Sequence, residues 1–280
     1  MTKPAAQFVG DIPTYYDAGL GPHLFVDYAA DLASRAAASK PKRVLEVAAG
    51  TGIVTRMLRD VLPGSSHLIA SDLYTPMLTI AKRKFADDAK VEFQTADATE
   101  LPFDNETFDA MVCQFGIMFF PDKDRSYREA ARVLKTSGEY HFNVWDSFEF
   151  NAFARITHET VGQFFNQNAP VFYALPFSYH RIDEIKASLV RVGFNDISAH
   201  VLKIDKTIPE AHAFAKGLIF GNPIIEEICS RGTADPNEIV AAVATALRRA
   251  FGNDPGHMSL QAIVFRAAKS VTGLTTNDGS

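Results

Sequence analysis

Residues 44–55, Val-Leu-Glu-Val-Ala-Ala-Gly-Thr-Gly-Ile-Val-Thr, constrain this chain more than any other stretch. A β-rich apolar segment carrying Glu46 breaks into a small-residue loop that starts a helix, as a parallel strand does when it hands over to a crossover helix. Gly50 and Gly52 permit positive φ and leave no Cβ in the way, so amide groups at the helix start can meet a ligand closely. The dinucleotide fingerprint Gly-x-Gly-x-x-Gly is incomplete, because Thr55 stands at the third glycine position. A phosphate loop needs Lys followed by Ser or Thr, and Ile53-Val54 supply neither charge nor hydroxyl. What remains is a ligand that needs close backbone approach and nearby acids but carries no pyrophosphate. Glu46 before the loop and Asp72 after the next strand are those acids.

The pattern then repeats. Segments 43–47, 67–71, 91–95, 108–115 and 139–145 read as strands, with helices at 53–61, 76–85 and 122–134 and turns at Pro63-Gly64 and Thr136-Ser137-Gly138. The run Phe-Asp-Ala-Met-Val-Cys-Gln-Phe at 108–115 is nearly continuously apolar, as a central strand covered on both faces must be. Such alternation predicts an α/β fold, a doubly wound and mostly parallel sheet that binds ligands at the strands' C-terminal ends. Ahead of it, residues 24–39 place Phe25, Tyr28, Ala29, Leu32 and Ala36 at helical spacing before Pro41.

Later, 182–192, 209–218, 223–230 and 238–251 read as helices, and 197–204 and 259–267 as the sixth and seventh strands. Roughly fifty residues separate those two strands where a hairpin needs about 2–5, so a helical cap is inserted there. The expectation is one domain over 1–280. Its core covers about 40–146, 180–205 and 258–268; an N-terminal helical segment covers 1–39; lid insertions cover about 147–179 and 207–255. The polar tail 270–280 is too poor in apolar residues to offset ordering entropy and is expected to fray.

A net charge of −5, with basic and acidic residues interspersed, offers no field that attracts nucleic acid or an anionic membrane nonspecifically. The expected partner is a small molecule. Cys113 and Cys229 are the only cysteines and lack metal-ligand spacing, which predicts no metal site and two buried free thiols in a reducing compartment. The N-terminus shows no long apolar stretch and no later run approaches about 18 apolar residues, so the expectation is a cytoplasmic protein without membrane insertion.

Taken together, Glu46-x-Ala48-x-Gly50-x-Gly52 after a strand, Asp72 at the end of strand two, Asp97-Ala98 after strand three and Phe108-Asp109 opening strand four resemble the class I S-adenosylmethionine-dependent methyltransferases. The resemblance spans about residues 40–145 and is nearest to the small-molecule, ubiquinone-type branch. Ala48 stands where many members have the first glycine. The resemblance implies a Rossmann-like, seven-stranded sheet with a helical lid and S-adenosylmethionine as cofactor. It also implies that the loop Ala48, Ala49, Gly50, Thr51, Gly52 cradles the methionine end, with Glu46 ordering the loop. Asp72 then accepts from the ribose hydroxyls, Leu73 and Met77 flank the adenine, and Asp97 and the backbone of Ala98 meet its edge. Gln114 and Phe115 form the floor near the sulfonium. The N-terminal Tyr15-Tyr16-Asp17 folds over the cofactor, with the Tyr16 ring available to shield the methyl group, since aromatic faces attract sulfonium-type cations.

Methyl transfer is an in-line displacement in which the enzyme chiefly aligns two reactants and excludes water, so a dedicated base is optional. His23, His141, His158 and His180 are the histidines outside the implied cofactor positions; none is assigned a catalytic role. Between Tyr140 and Tyr179 the chain places 12 of its 31 aromatic residues and only four charges. Phe119, Trp145, Phe148 and Phe172, together with Tyr16, are the candidate walls of a site for an apolar or aromatic acceptor. The same rings equally suit the lid's own core or a contact between two copies in a homodimer. Two other readings remain open on sequence alone, an NAD-dependent oxidoreductase and an S-adenosylmethionine-binding protein without catalysis. Against the first stand Thr55, Asp97-Ala98, and the lack of a Tyr-x-x-x-Lys pair.

Overall fold

The computed structural model describes residues 7–85, 90–232 and 234–269; the tail expected to fray lies outside the described residues. The chain enters through α1 (Ile12–Tyr15), a π-helical stretch at Tyr16–Phe25 and α2 (Val26–Ala37). Strands and helices then alternate as β1 (Arg43–Val47), α3 (Ile53–Val61), β2 (His67–Asp72), α4 (Thr75–Arg83), β3 (Val91–Thr95), β4 (Phe108–Gln114), α5 (Lys123–Val133) and β5 (Leu134–Trp145). After β5 come α6 (Ala152–Gly162), α7 (Ile182–Arg191), β6 (Asp196–Ile208), α8 (Ala211–Phe220), α9 (Ile224–Arg231), α10 (Pro236–Phe251) and β7 (Gly256–Ala268).

The sheet has seven strands in the order β3-β2-β1-β4-β5-β7-β6. β1 to β5 pair in parallel, while β7 runs antiparallel to both β5 and β6. Alternating side chains feed two cores, which is why the central strands are apolar throughout. Val44, Ala110 and Val112 pack with Ala29, Leu32, Ala33 and Ala36 of α2 and with Val54 and Leu58 of α3. Leu45, Val47, Met111, Cys113 and Phe142 face the opposite layer, with Tyr127 and Ala130 of α5 and Ile185 and Leu189 of α7. The helical spacing noted at Tyr28, Ala29, Leu32 and Ala36 is the buried face of α2.

Two expectations need correction. Thr136-Ser137-Gly138 is not a turn between elements but a looped irregularity inside β5: Leu134 pairs with Phe108, and the ladder resumes only at Glu139 opposite Ala110. A side chain at 138 would meet the carbonyl oxygens of Lys135 and Phe108 at 3.0 and 3.1 Å, so the small residues there serve a tight bulge. The two thiols also differ. Cys113 is buried in β4, whereas Cys229 is exposed on α9, whose buried positions are Ile224 and Ile228. Among the described residues, no helix is long and apolar enough to cross a membrane.

The N-terminal cover and the lid meet backbone to backbone. A Cβ on Gly19 would sit 2.9 Å from Gly217 Cα, and one on Gly221 would sit 2.9 Å from Tyr16 N and 2.6 Å from Gly217 O. The Tyr15 ring packs on Phe220 at 5.4 Å, and Lys84, just past α4, donates to Asp17 at 2.6 Å. Cover, lid and sheet therefore close over the C-terminal ends of the strands as one layer.

Candidate functional site

β1 ends in a loop whose backbone is left-handed at three alternate residues, Ala48 (φ 53°), Gly50 (φ 57°) and Gly52 (φ 81°). Glycine adopts this freely, but Ala48 holds it against a steric cost. The loop is fastened to β2 at two points: Ala49 N–H donates to Ser71 O at 2.9 Å, and Gly50 N–H to Asp72 Oδ2 at 2.8 Å. Asp72 Oδ1 accepts from Tyr74 N–H at 2.8 Å. Burial pushes the Asp72 carboxyl above its usual range, against the pull of these amides. Glu46, 1% exposed, accepts from the Thr55 hydroxyl at 2.6 Å, and burial drives its pKa up to about 8.

A cavity of about 510 Å³ opens above this edge. Its floor follows the sheet order: Asp97 and Ala98 after β3, Asp72 and Leu73 after β2, Ala48 and Gly50 after β1, Gln114 and Phe115 at β4, and Trp145 at β5. Acids and loop backbone thus lie towards β3, β2 and β1, and aromatic rings towards β4 and β5. Leu73 keeps 45% of its surface exposed at the mouth, an apolar face open to a flat ligand. Asp97 Oδ1 accepts from the amide and hydroxyl of Thr99 at 2.7 and 2.8 Å, which aims the carboxylate and leaves Oδ2 without a partner among the described residues.

Phe115, at φ 50°, is held there by Asn143, whose carbonyl and side-chain oxygens both accept from its N–H at 3.2 and 3.0 Å. The ring lies flat on Trp145, centroids 4.0 Å apart and planes 6° from parallel, with Tyr28 edge-on to both. Tyr16 stacks on Phe25 at 4.8 Å in the roof, its hydroxyl kept protonated by burial and by the charge of Asp72. Phe119 stacks on Phe172 and Phe177 on Trp145 along the aromatic half.

The structure brings Tyr16, Ala48, Gly50, Asp72, Leu73, Met77, Asp97, Ala98, Gln114, Phe115, Phe119, Trp145 and Phe172 onto one cavity wall. Glu46, Ala49 and Thr51 line a small niche beside it, roofed by Tyr16 and Phe25. Two positions fall outside both. Gly52 faces α4, where a side chain would strike Ala81 Cβ at 2.9 Å, so its role is close packing of the loop. Phe148 stands behind the wall, stacked on Phe177 and His158.

None of the four histidines lines the cavity among the described residues. His23 sits edge-on to Phe214, His141 pairs with Glu139 within the sheet, His158 lies under Phe148, and His180 bonds the Phe177 carbonyl. Wall residues not anticipated from sequence come from the cover (Phe8, Leu20, Leu24) and the lid (Phe177, Asn222). The aromatic density of the lid pointed to Phe177 as it did to its wall neighbours Phe153 and Tyr173, whereas Phe8, Leu20, Leu24 and Asn222 carried no such signal.

The niche answers what the site can hold. Thr51 Oγ1 is buried there with no partner among the described residues, and such a hydroxyl is a group that a bound polar ligand or a water can satisfy. The adjoining loop amides and carbonyls, with Glu46 beneath, offer the mixed donors and acceptors that an amino-acid ammonium and carboxylate require. Comparison with known proteins agrees. The profile of a methyltransferase domain family matches residues 44–138. A demethylmenaquinone methyltransferase of Thermus thermophilus is 41% identical over 99 residues, 35% of this chain and 44% of the relative.

Residues 44–138 are thus similar to a methyltransferase domain. A ubiquinone/menaquinone biosynthesis C-methyltransferase of Pseudomonas paraeruginosa is 29% identical over a longer stretch, 171 residues, covering 56% of this chain and 67% of the relative. Against the first relatives the chain spans less than half of their length. In fold, the chain superposes on phosphoethanolamine N-methyltransferase 2 of Haemonchus contortus, in complex with S-adenosyl-L-methionine, with a TM-score of 0.59 at 19% identity. That superposition covers 92% of this chain and 57% of the other. The matched segment 44–138 holds the loop after β1, Asp72, Asp97 and Phe115, while the cover and the lid lie outside it.

Proposed function

We propose that this protein binds S-adenosylmethionine and transfers its methyl group to a small, planar, apolar acceptor of the phenol or hydroquinone type. The observation that carries this reading is the continuity of one cavity from the loop and acids at β1–β3 to the rings at β4 and β5. When bound, the sulfonium would supply an electrophilic methyl carbon; the acceptor's electron pair would form the new bond as the carbon–sulfur pair returned to sulfur, and the acceptor's proton would pass to water. The chain's residues do the rest. Thr51, Glu46 and the loop backbone hold the amino-acid end, Asp72 the ribose, and Leu73, Met77, Asp97 and Ala98 the adenine. Tyr16 and Phe25 roof the niche and exclude water, and Phe115 on Trp145 gives the acceptor a flat, rigid face.

Support for an apolar acceptor comes from Phe119, Phe172, Phe153 and Phe177 on the wall, and from relatives whose names are those of quinone methyltransferases. Isothermal calorimetry tests the cofactor: S-adenosylmethionine and its demethylated product are expected to bind and NAD is not. Tight NAD binding without response to S-adenosylmethionine would falsify the reading. For the acceptor, phenols, hydroquinones and heteroaromatics are expected to be methylated ahead of polar amines, and the reverse order sinks the substrate class.

A further inference from the structure

The lid contributes a polar pair to the cavity wall, Asn222 and Tyr173. Tyr173 donates its hydroxyl proton to Leu218 O at 2.7 Å. Asn222 Nδ2 donates to that same carbonyl at 3.2 Å and to the Tyr173 oxygen at 3.3 Å. This fixes which way the amide faces. Leu218 O can only accept, so the atom beside it is the nitrogen, and both N–H groups are spent inside the lid. Asn222 Oδ1 is left without a partner among the described residues, on a side chain that is 8% exposed and lines the cavity. Burial also holds the Tyr173 phenol well above its usual range, so it stays a protonated donor to Leu218.

We infer that Asn222 Oδ1, held in place by Tyr173, selects an acceptor ring that bears a hydroxyl or N–H donor, such as a phenol or hydroquinone, over the same ring with only acceptors. The inference rests on the proposed methyl-transfer reading and names the polar feature of its substrate. To the cavity the pair presents lone pairs only, both amide protons and the phenol proton being committed to Leu218 O or to each other. A carbonyl oxygen facing Oδ1 meets a second acceptor and loses its water without compensation, whereas an O–H forms a bond in a low-dielectric wall.

Equilibrium dialysis of the full chain against 1-naphthol and its donor-free isostere 1-fluoronaphthalene reads this directly. It is run with and without saturating demethylated cofactor. Solvent transfer alone favours the fluoro compound, so a wild-type preference for naphthol of about three- to tenfold is the expected signature of the bond. In Asn222→Leu the ratio is expected to fall to one or below while fluoronaphthalene binding stays within about twofold, showing an intact pocket. A wild-type protein without the preference, or a variant that retains it with fluoronaphthalene still bound, overturns the role. Where the variant loses both ligands, the wild-type ratio decides. Failure of the demethylated cofactor to bind is a separate result that removes the methyl-transfer reading and leaves the ratio measurable.

Discussion

The Thr55 hydroxyl donates to Glu46 Oε2 at 2.6 Å, across the loop that joins β1 to α3. The residue that breaks the dinucleotide fingerprint is thus the one that satisfies the buried acid. With its pKa raised from 4.5 to about 8, the Glu46 carboxyl is favoured by the fold in its protonated form. A group whose folded pKa lies above its unfolded value contributes fully below the unfolded pKa and loses that contribution as pH rises through the folded one. Stability is therefore expected to decline between about pH 4.5 and 8, by roughly 3–5 kcal/mol from this group alone. Urea unfolding across that range should show the decline in the wild type and a flatter profile in Glu46→Gln; identical slopes would remove Glu46 as its source.

Asp72 spends one oxygen on Gly50 N–H and the other on Tyr74 N–H. Asp72→Ala orphans two amides at about 1–3 kcal/mol each and releases the loop. Asp72→Asn is expected to weaken binding of the demethylated cofactor nearly as much, because its NH₂ must face one of those donors. A loss of at least tenfold in calorimetric affinity is expected for both. Full affinity in Asp72→Asn would mean that neither the charge nor the second acceptor matters.

Much of this was legible in sequence where the physics is local. β1 and α3 follow from an apolar run and two glycines, and Asp72 and Asp97 follow from their places just past strands. Phe148 shows the limit: every ring in the lid carries the same compositional signal, and only packing decides that Phe177 faces the cavity while Phe148 stands behind it. Asn222 and Tyr173 became a pair through Leu218, a contact no periodicity encodes. The bulge at Thr136–Gly138 has turn chemistry inside a strand, because a paired neighbour can absorb extra residues that a sequence alone reads as a break.

Gly217 and Gly221 join the lid to the cover, and a methyl at either meets backbone under 3.0 Å away. Backbone yields less readily than a side chain, so Gly221→Ala is expected to destabilise by about 1–3 kcal/mol. It also lifts the strand of chain bearing Tyr16 from the niche. Thermal unfolding and cofactor calorimetry on one sample should fall together. Lost stability with unchanged affinity would show that the cover binds the lid without shaping the cofactor site.

Ala48 and Gly116 close the floor from two sides, the first in left-handed backbone at φ 53°, the second where an added Cβ would lie 2.5 Å from Ala48 Cβ and 2.9 Å from Cys113 Sγ. Gly116→Ala alone is expected to cost about 1–3 kcal/mol by overpacking. Ala48→Gly alone relieves about 1–2 kcal/mol of left-handed strain but adds about 0.4–1 kcal/mol of unfolded-chain entropy, leaving a net stabilisation of about 0–1.5 kcal/mol. Combining them removes the closer clash and retains the one with the sulfur. The double variant should then recover part of the Gly116→Ala loss, with a coupling of about 0.5–2 kcal/mol in denaturant titrations. Simple additivity would show that Ala48 moves aside at no cost, and that its strained backbone is not what holds the loop against the cavity floor.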